Sequence, residues 1–357
     1  MSRSLSIPPS SRACARPSTA TRFATSRQVL TTIAGSINSE TALRFRFILR
    51  RLCWAAFVLF GSSIVVFLVL HVIPGDPARA MLGPEASPDA VATLRVQLGL
   101  DRPLLYQYVV WLSQMSQGDM GRSILLSQSV ASLLVERLPI TLLLSAYALC
   151  FAVLIAIPVS VISATRKNTV ADYAGRFLAL IGLAMPSFWL GIMLILLFGV
   201  RLRLLPVFGY VAPSQDLIEH VRHMILPTVS LGMVYSALLM ETNRNSLIEV
   251  LQQDYIRTAR AGGLRETLVL YKYAMRNALI PTVTVIGIQV GYLMSGALIV
   301  ETVFAIAGIG RLLVNAVLAR DYPVVQGTML VTVAIFTIVN LIVDLLYAVI
   351  DPRVESA

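Results

Sequence analysis

Residues 254–281 read DYIRTARAGGLRETLVLYKYAMRNALIP, and they run straight into an apolar segment, ALIPTVTVIGIQVGYLMSGALIV at 278–300. The stretch carries seven charged residues and the adjacent pair Gly262-Gly263, a composition that lipid does not accommodate. Just upstream, SLIEVLQQDYIRTARAG at 246–262 places Leu247, Val250, Leu251, Tyr255, Thr258 and Ala259 at helical spacing. A helix is therefore expected over 246–262. Gly262 and Gly263 then supply a left-handed cap and a bend that a residue with a β-carbon resists. A second helix restarts from Arg265 to Asn277 through Leu268, Val269, Tyr273 and Met275. Pro281 falls near the first turn of the apolar helix, where its missing N–H costs least. The reading is a polar helical hairpin between two membrane spans.

The rest of the chain supplies the membrane. Of its 357 residues 57% are hydrophobic and 13% charged, too apolar for a soluble domain, whose surface needs about a quarter charged residues. Six runs approach the roughly 20 apolar residues that a core about 30 Å thick requires. They are 52–73, 139–165, 177–200, 224–240, 278–300 and 323–343, the fourth being the shortest and containing Pro227. The fold class is all-α polytopic, with six transmembrane helices.

The net charge of +10 invites a nucleic-acid reading, and its distribution opposes one. With both termini in the cytoplasm, the inside segments 1–51, 166–176, 241–276 and 344 onward hold 19 of the 29 basic residues. That bias fits the positive-inside rule and puts the hairpin in the cytoplasm. No nucleic-acid partner is expected; the lipid bilayer is. Residues 1–44 form a basic leader with a single acid, Glu40. Its composition is like that of a transit peptide, although a disordered tail or a start codon assigned too far upstream fits better.

Several chemistries are excluded by what the sequence lacks. The only lysines, Lys167 and Lys272, follow Arg166 and Tyr271, so there is no phosphate-cradling G-K-[ST] loop. Cys14, Cys53 and Cys150 have no metal or disulfide spacing, and His220 and His223 read as loop histidines at the membrane surface. No metal, cofactor or catalytic residue is expected. Glu241, Glu301 and Asp344 stand at span edges, leaving no ionisable group at membrane depth to bind a coupling ion. Energy must then arrive from a partner, and the hairpin is where it would dock.

The hairpin resembles the cytoplasmic EAA loop of binding-protein-dependent ABC importer permeases, in the form found in dipeptide, oligopeptide and nickel-type B subunits. There the loop reads roughly D-Y-I-R-T-A-R-A-K-G-L followed by R-N-A-L-I-P. The chain has DYIRTARAGGL and RNALIP, with Gly262 where the family often has Lys and Arg257-Thr258-Ala259 in place of a literal Glu-Ala-Ala. The similarity extends over residues 43–354, through HVIPGDPARAMLG (71–83), ASPDAVATLRVQLGLDRPLLYQY (86–108), GDMGRS (118–123) and ETVFAIAGIGRLLVNAVLARDYPVVQG (301–327).

The resemblance implies a MetI-like five-helix permease core with one peripheral N-terminal helix, in the bacterial inner membrane. It divides the chain into 45–137, the first span and an extracytoplasmic loop; 138–347, the core with its coupling loop 241–277; and a cytoplasmic tail, 348–357. It implies a second homologous permease subunit, two cytoplasmic ABC ATPase subunits and an extracytoplasmic substrate-binding protein, with ATP used by the partners. It carries the ATPase-coupling role to Tyr255, Arg257, Thr258, Ala259, Arg260 and Gly263. The cargo would be di- or oligopeptides, or a related solute such as nickel chelates or glutathione. An ATP-independent secondary carrier is the alternative.

Two further sets come from the spans themselves. Gly287, Gly291 and Ser295 share a helix face at four-residue spacing and are read as a packing stripe. Gln289, Gln326 and Asn340 are uncharged amides nominated for the translocation path, because an amide in lipid needs a partner.

Overall fold

The computed structural model describes residues 48–69, 77–82, 86–97 and 99–350. The leader 1–44 and the tail beyond residue 350 lie outside the described residues. Among those described the chain is all-helical. α1 (Ile48–Val69) is followed by the short helices α2 (Pro77–Leu82), α3 (Pro88–Gln97) and α4 (Leu104–Ser116). The bundle itself is α5 (Val130–Thr165), α6 (Val170–Ala184), α7 (Ser187–Leu194), α8 (Leu217–Leu251), α11 (Met275–Val303) and α13 (Tyr322–Ile350). Between them lie the hairpin helices α9 (Asp254–Ala261) and α10 (Glu266–Leu268), and the apolar α12 (Ile309–Ala319).

Among the described residues five helices are long and apolar enough to cross a membrane, and a bent pair makes a sixth if the two halves count as one span. That pair corrects the expected continuous span at 177–200. α6 and α7 meet at 104°. The cause is Pro186: the residue before a proline avoids helical geometry, and Met185 is extended at φ −91°, ψ 124°. Pro227 behaves differently. It stays inside α8, which runs 35 residues rather than the 17 expected at 224–240.

α8 is the hub, packing along α5 and against α6, α7 and α11. Over its most apolar window 56% of residues are buried, against 17% in α1 and 11% in α13, whose apolar faces the rest of the chain leaves uncovered. Lipid tails provide no hydrophobic drive for helix association, so close backbone approach has to do it. Gly232 of α8 is one such point: a β-carbon there would stand 2.7 Å from the Ala148 carbonyl and the Phe151 ring of α5. The peripheral position of α1 follows from its contacts. Phe67 stacks edge-on to Tyr108 of α4, Ser63 shares a 2.8 Å hydrogen bond with that tyrosine's hydroxyl, and Arg51 pairs with Asp344 of α13 at 2.8 Å.

The segment before the bundle follows its local signals. Ser87 Oγ accepts from the Ala90 N–H at 3.3 Å, capping α3, and Gly99 turns the chain out of it at φ +67°.

Candidate functional site

The hairpin caps one end of the bundle, and its shape is set residue by residue. The expected helix 246–262 is broken at Gln253, which is extended at φ −68°, ψ 149°. α8 therefore ends at Leu251, and α9 begins as a separate element at Asp254, after a gap of two residues. No glycine or proline marks this break. α9 carries Asp254 in its first turn and Arg260 in its last, each at the helix end whose dipole favours its charge.

α9 is closed by a Schellman motif, in which the Gly263 N–H donates to the Arg260 carbonyl at 3.0 Å and the Leu264 N–H to the Ala259 carbonyl at 3.4 Å. Only Gly263 is left-handed, at φ +77°, with open space around it. Gly262 sits at φ −73°, and a β-carbon there would make ordinary 3.5 Å contacts. The glycine pair thus divides into one obligatory position and one permissive one.

One side chain fastens α9 to the spans. Ile256 is fully buried and packs in a cluster with Val161 and Ala164 of α5, Leu247 of α8, Val269 and Ala274 just before α11, and Met275 and Ala278 at its start. Sequence spacing alone passed over Ile256: on one continuous helix it would lie opposite Leu247, and the break at Gln253 is what lets both enter the same cluster. A second fastening is polar: Asn277 Nδ2 donates to the Tyr255 hydroxyl at 2.8 Å. Arg260 reaches across the turn to Glu266 through both Nε (3.1 Å) and Nη2 (2.5 Å), and this hydrogen bonding raises the arginine's pKa.

The rest of the expected coupling set faces outward. Arg257 is 70% exposed in its side chain and leans on Asp254 at 3.4 Å, while Thr258 Oγ1 donates to the Asp254 carbonyl. Ala259 is half-buried against the Ile256 cluster. Beyond the turn the second helix is not regular. Val269–Ala274 form a π-helical turn before α11, so Pro281 lies well inside a 38-residue span, not in its first turn as expected. An open groove of 570 Å³ runs beside the turn, lined by Gly263, Leu264, Arg265, Leu268, Tyr271 and Lys272. The hairpin thus offers a basic, aromatic outer face backed by an apolar anchor.

The span residues nominated from sequence lie in separate environments. Gln289 is buried, donating weakly to the Tyr235 carbonyl of α8 at 3.4 Å while its Oε1 has no hydrogen-bond partner. Asn340 lies half-buried near Gly291, where a β-carbon would come within 2.7 Å of the Phe336 ring of α13. Gln326 lines a 530 Å³ cleft at the opposite end of the bundle, with Trp111 of α4 and Tyr322 of α13. Gly287 is buried, whereas Ser295 is exposed.

Two expectations about polar groups need correction, and a third gains a partner. His220 is not a loop residue: it is fully buried in α8, with Nδ1 2.6 Å from the Val211 carbonyl and Nε2 3.1 Å from the Tyr147 hydroxyl. Glu301 stands at the span edge, as expected, near the end of α11, and is fully buried there. Its carboxylate accepts from Thr141 Oγ1 and from the Arg311 N–H at 3.1 Å, tying the start of α12 to α5. Asp172 and Arg244, which fall in the expected inside segments 166–176 and 241–276, lie in the first turn of α6 and within α8 and form a buried pair.

Comparison with known proteins agrees with this architecture. The family described as "Binding-protein-dependent transport system inner membrane component" matches residues 156–356, and its N-terminal membrane component matches residues 44–145. The chain is 39% identical over 327 residues to the dipeptide transport system permease protein DppB of Alkalihalophilus pseudofirmus, covering 86% of this chain and 98% of that protein. It is 40% identical over 334 residues to the dipeptide transport system permease protein DppB of Escherichia coli, covering 87% and 98%.

Proposed function

Because the chain belongs to the binding-protein-dependent transport system inner membrane components, and is thus a permease subunit of an ABC importer, we propose that it carries di- or oligopeptides across the inner membrane. Family membership brings an ATPase and a substrate-binding protein as partners. The finer arrangement belongs to the proposal: one homologous permease subunit beside this chain, two ATPases at the hairpin end, and the binding protein at the other. Both termini then lie in the cytoplasm, in keeping with the excess of basic residues there. ATP is consumed by the partners, and the chain itself needs no cofactor.

The observation that supports this reading most is the anchored hairpin. Tyr255, Arg257, Thr258, Arg260 and Gly263 form its outer face and turn, while Ile256 and Ala259 tie that face to α5, α8 and α11. A partner gripping α9 would therefore move three spans at once, the kind of rigid-body displacement that alternating access requires. The peptide cargo rests on the printed names of the relatives; nickel chelates or glutathione would use the same machinery.

Uptake of a labelled dipeptide into proteoliposomes holding the whole transporter tests the proposal. Uptake should vanish when the partner ATPase is inactivated by substitution in its own nucleotide site. Undiminished uptake would point to an ATP-independent carrier instead.

A further inference from the structure

Two adjacent residues of α8 bond to three of the helices around it, α5, α6 and α11. Arg244 presents a fork to Asp172 of α6, with Nε to Oδ1 and Nη2 to Oδ2 both at 2.8 Å. Its Nε also lies 3.0 Å from Ser163 Oγ of α5, and Ser163 donates to the same carboxylate. The Asn168 N–H donates to Asp172 Oδ2 at 3.0 Å, closing the α5–α6 turn onto the pair. Beside it, Asn243 Nδ2 donates to Ser160 Oγ of α5 at 2.6 Å, and Thr282 Oγ1 of α11 donates to Asn243 Oδ1 at 3.2 Å. Asp172, Ser160, Ser163 and Asn243 are fully buried, and Arg244 is 9% exposed.

Stability alone is a poor explanation for this arrangement. Desolvating two charges costs about as much as their attraction returns, and apolar residues of similar volume commonly serve stability as well or better. What a bidentate fork adds is fixed geometry, since guanidinium and carboxylate planes must align for both bonds to form. The location gives that geometry a use. Position 244 lies ten residues before the hairpin helix, on the same α8 whose Leu247 packs with Ile256.

We propose that Arg244, Asp172 and Asn243 are positioning residues for transport: a polar joint that makes α5, α6, α8 and α11 move as one body when the hairpin is driven. The Ile256 cluster delivers displacement to α5, α8 and α11. α6 has no residue in that cluster. The Arg244 fork holds α6 to α8 in one fixed geometry, and α7 follows through its own packing on α8. This inference rests on the reading of 254–263 as the ATPase contact. That reading fails separately, if Arg260→Glu leaves ATPase pull-down unchanged.

The test uses the complete transporter, purified through the ATPase so that only assembled complexes are counted, in proteoliposomes. Three versions of the pair are compared with the wild type: Arg244→Lys, the neutral double variant Asp172→Asn/Arg244→Gln, and the exchanged double variant Asp172→Arg/Arg244→Asp. The readout is dipeptide transported per ATP hydrolysed. The expected result is a drop of about fivefold or more in that ratio for Arg244→Lys and for the neutral variant, with ATP hydrolysis retained, and partial recovery in the exchanged variant. An unchanged ratio in assembled Arg244→Lys or neutral complexes would overturn the proposal. So would failure of all three to assemble, which would make the pair a folding element only.

Discussion

The Tyr255 hydroxyl accepts a hydrogen bond from Asn277 at 2.8 Å, joining the first turn of α9 to the first turn of α11 across 22 residues of chain. The two ends of the hairpin are thereby held together outside the apolar cluster, on the face where a partner would bind. Tyr255→Phe removes the bond and keeps the ring. An exposed hydrogen bond is worth about 0.5–1.5 kcal/mol, so membrane levels should stay near normal. ATP-driven uptake should fall by about two- to fivefold, as measured in proteoliposomes at matched protein.

Ile256 is a stronger dependence. Truncating a fully buried isoleucine costs about 2–5 kcal/mol, and Ile256 is 0% exposed. Ile256→Ala should detach α9 from the spans without unfolding the long helices. The expected signature is a bound ATPase whose hydrolysis no longer responds to binding protein and substrate; full stimulation in this variant would show that the anchor carries no coupling.

The two glycines of the turn should respond oppositely. Gly263→Ala places a β-carbon at φ +77°, a strain of about 1–2 kcal/mol. Gly262→Lys, at φ −73°, meets no such strain and trims the freedom of the unfolded chain, for about 0.4–1 kcal/mol of stabilisation. Thermal melts of the purified protein should therefore move down for the first and be level or up for the second. The lysine that the family resemblance implies at this point is compatible with the same turn.

At the far end of the bundle, Gly310 of α12 lies against α11 so closely that a β-carbon would collide with Leu298 Cα and the Glu301 carboxylate. Gly310→Ala should push α12 off its seat. Uptake is expected to fall at least tenfold while ATPase pull-down is unaffected, since the hairpin is at the other end. Loss of pull-down together with uptake would mean that the whole bundle had shifted.

Sequence and structure part company for physical reasons that these residues illustrate. Long apolar runs announced α5, α11 and α13, because lipid demands uninterrupted helix. The hairpin was legible through its charge and Gly263. Pro186 was equally visible, yet an apolar run of 24 residues outweighed it, and the span proved to be two helices at 104°. Asp172 and Arg244 fall in the expected inside segments and Glu301 at a span edge because a single charge in lipid is expensive; their partners, Arg244 for Asp172 and Thr141 for Glu301, lie 72 and 160 residues away and leave no local trace. The break at Gln253 had no proline or glycine to mark it. Nothing in a heptad pattern distinguishes Ile256 as an anchor from an isolated surface aliphatic.

Site-directed cross-linking tests the central claim, that the hairpin is the ATPase contact, most directly. With Cys14, Cys53 and Cys150 replaced by serine, single cysteines at Arg260 and at Asn168 in the α5–α6 turn would be labelled with a benzophenone maleimide and irradiated in membranes containing the whole transporter. The account predicts an adduct between the cysteine at 260 and the ATPase, altered by ATP, and none at 168. An adduct at 168 with none at 260 would contradict it.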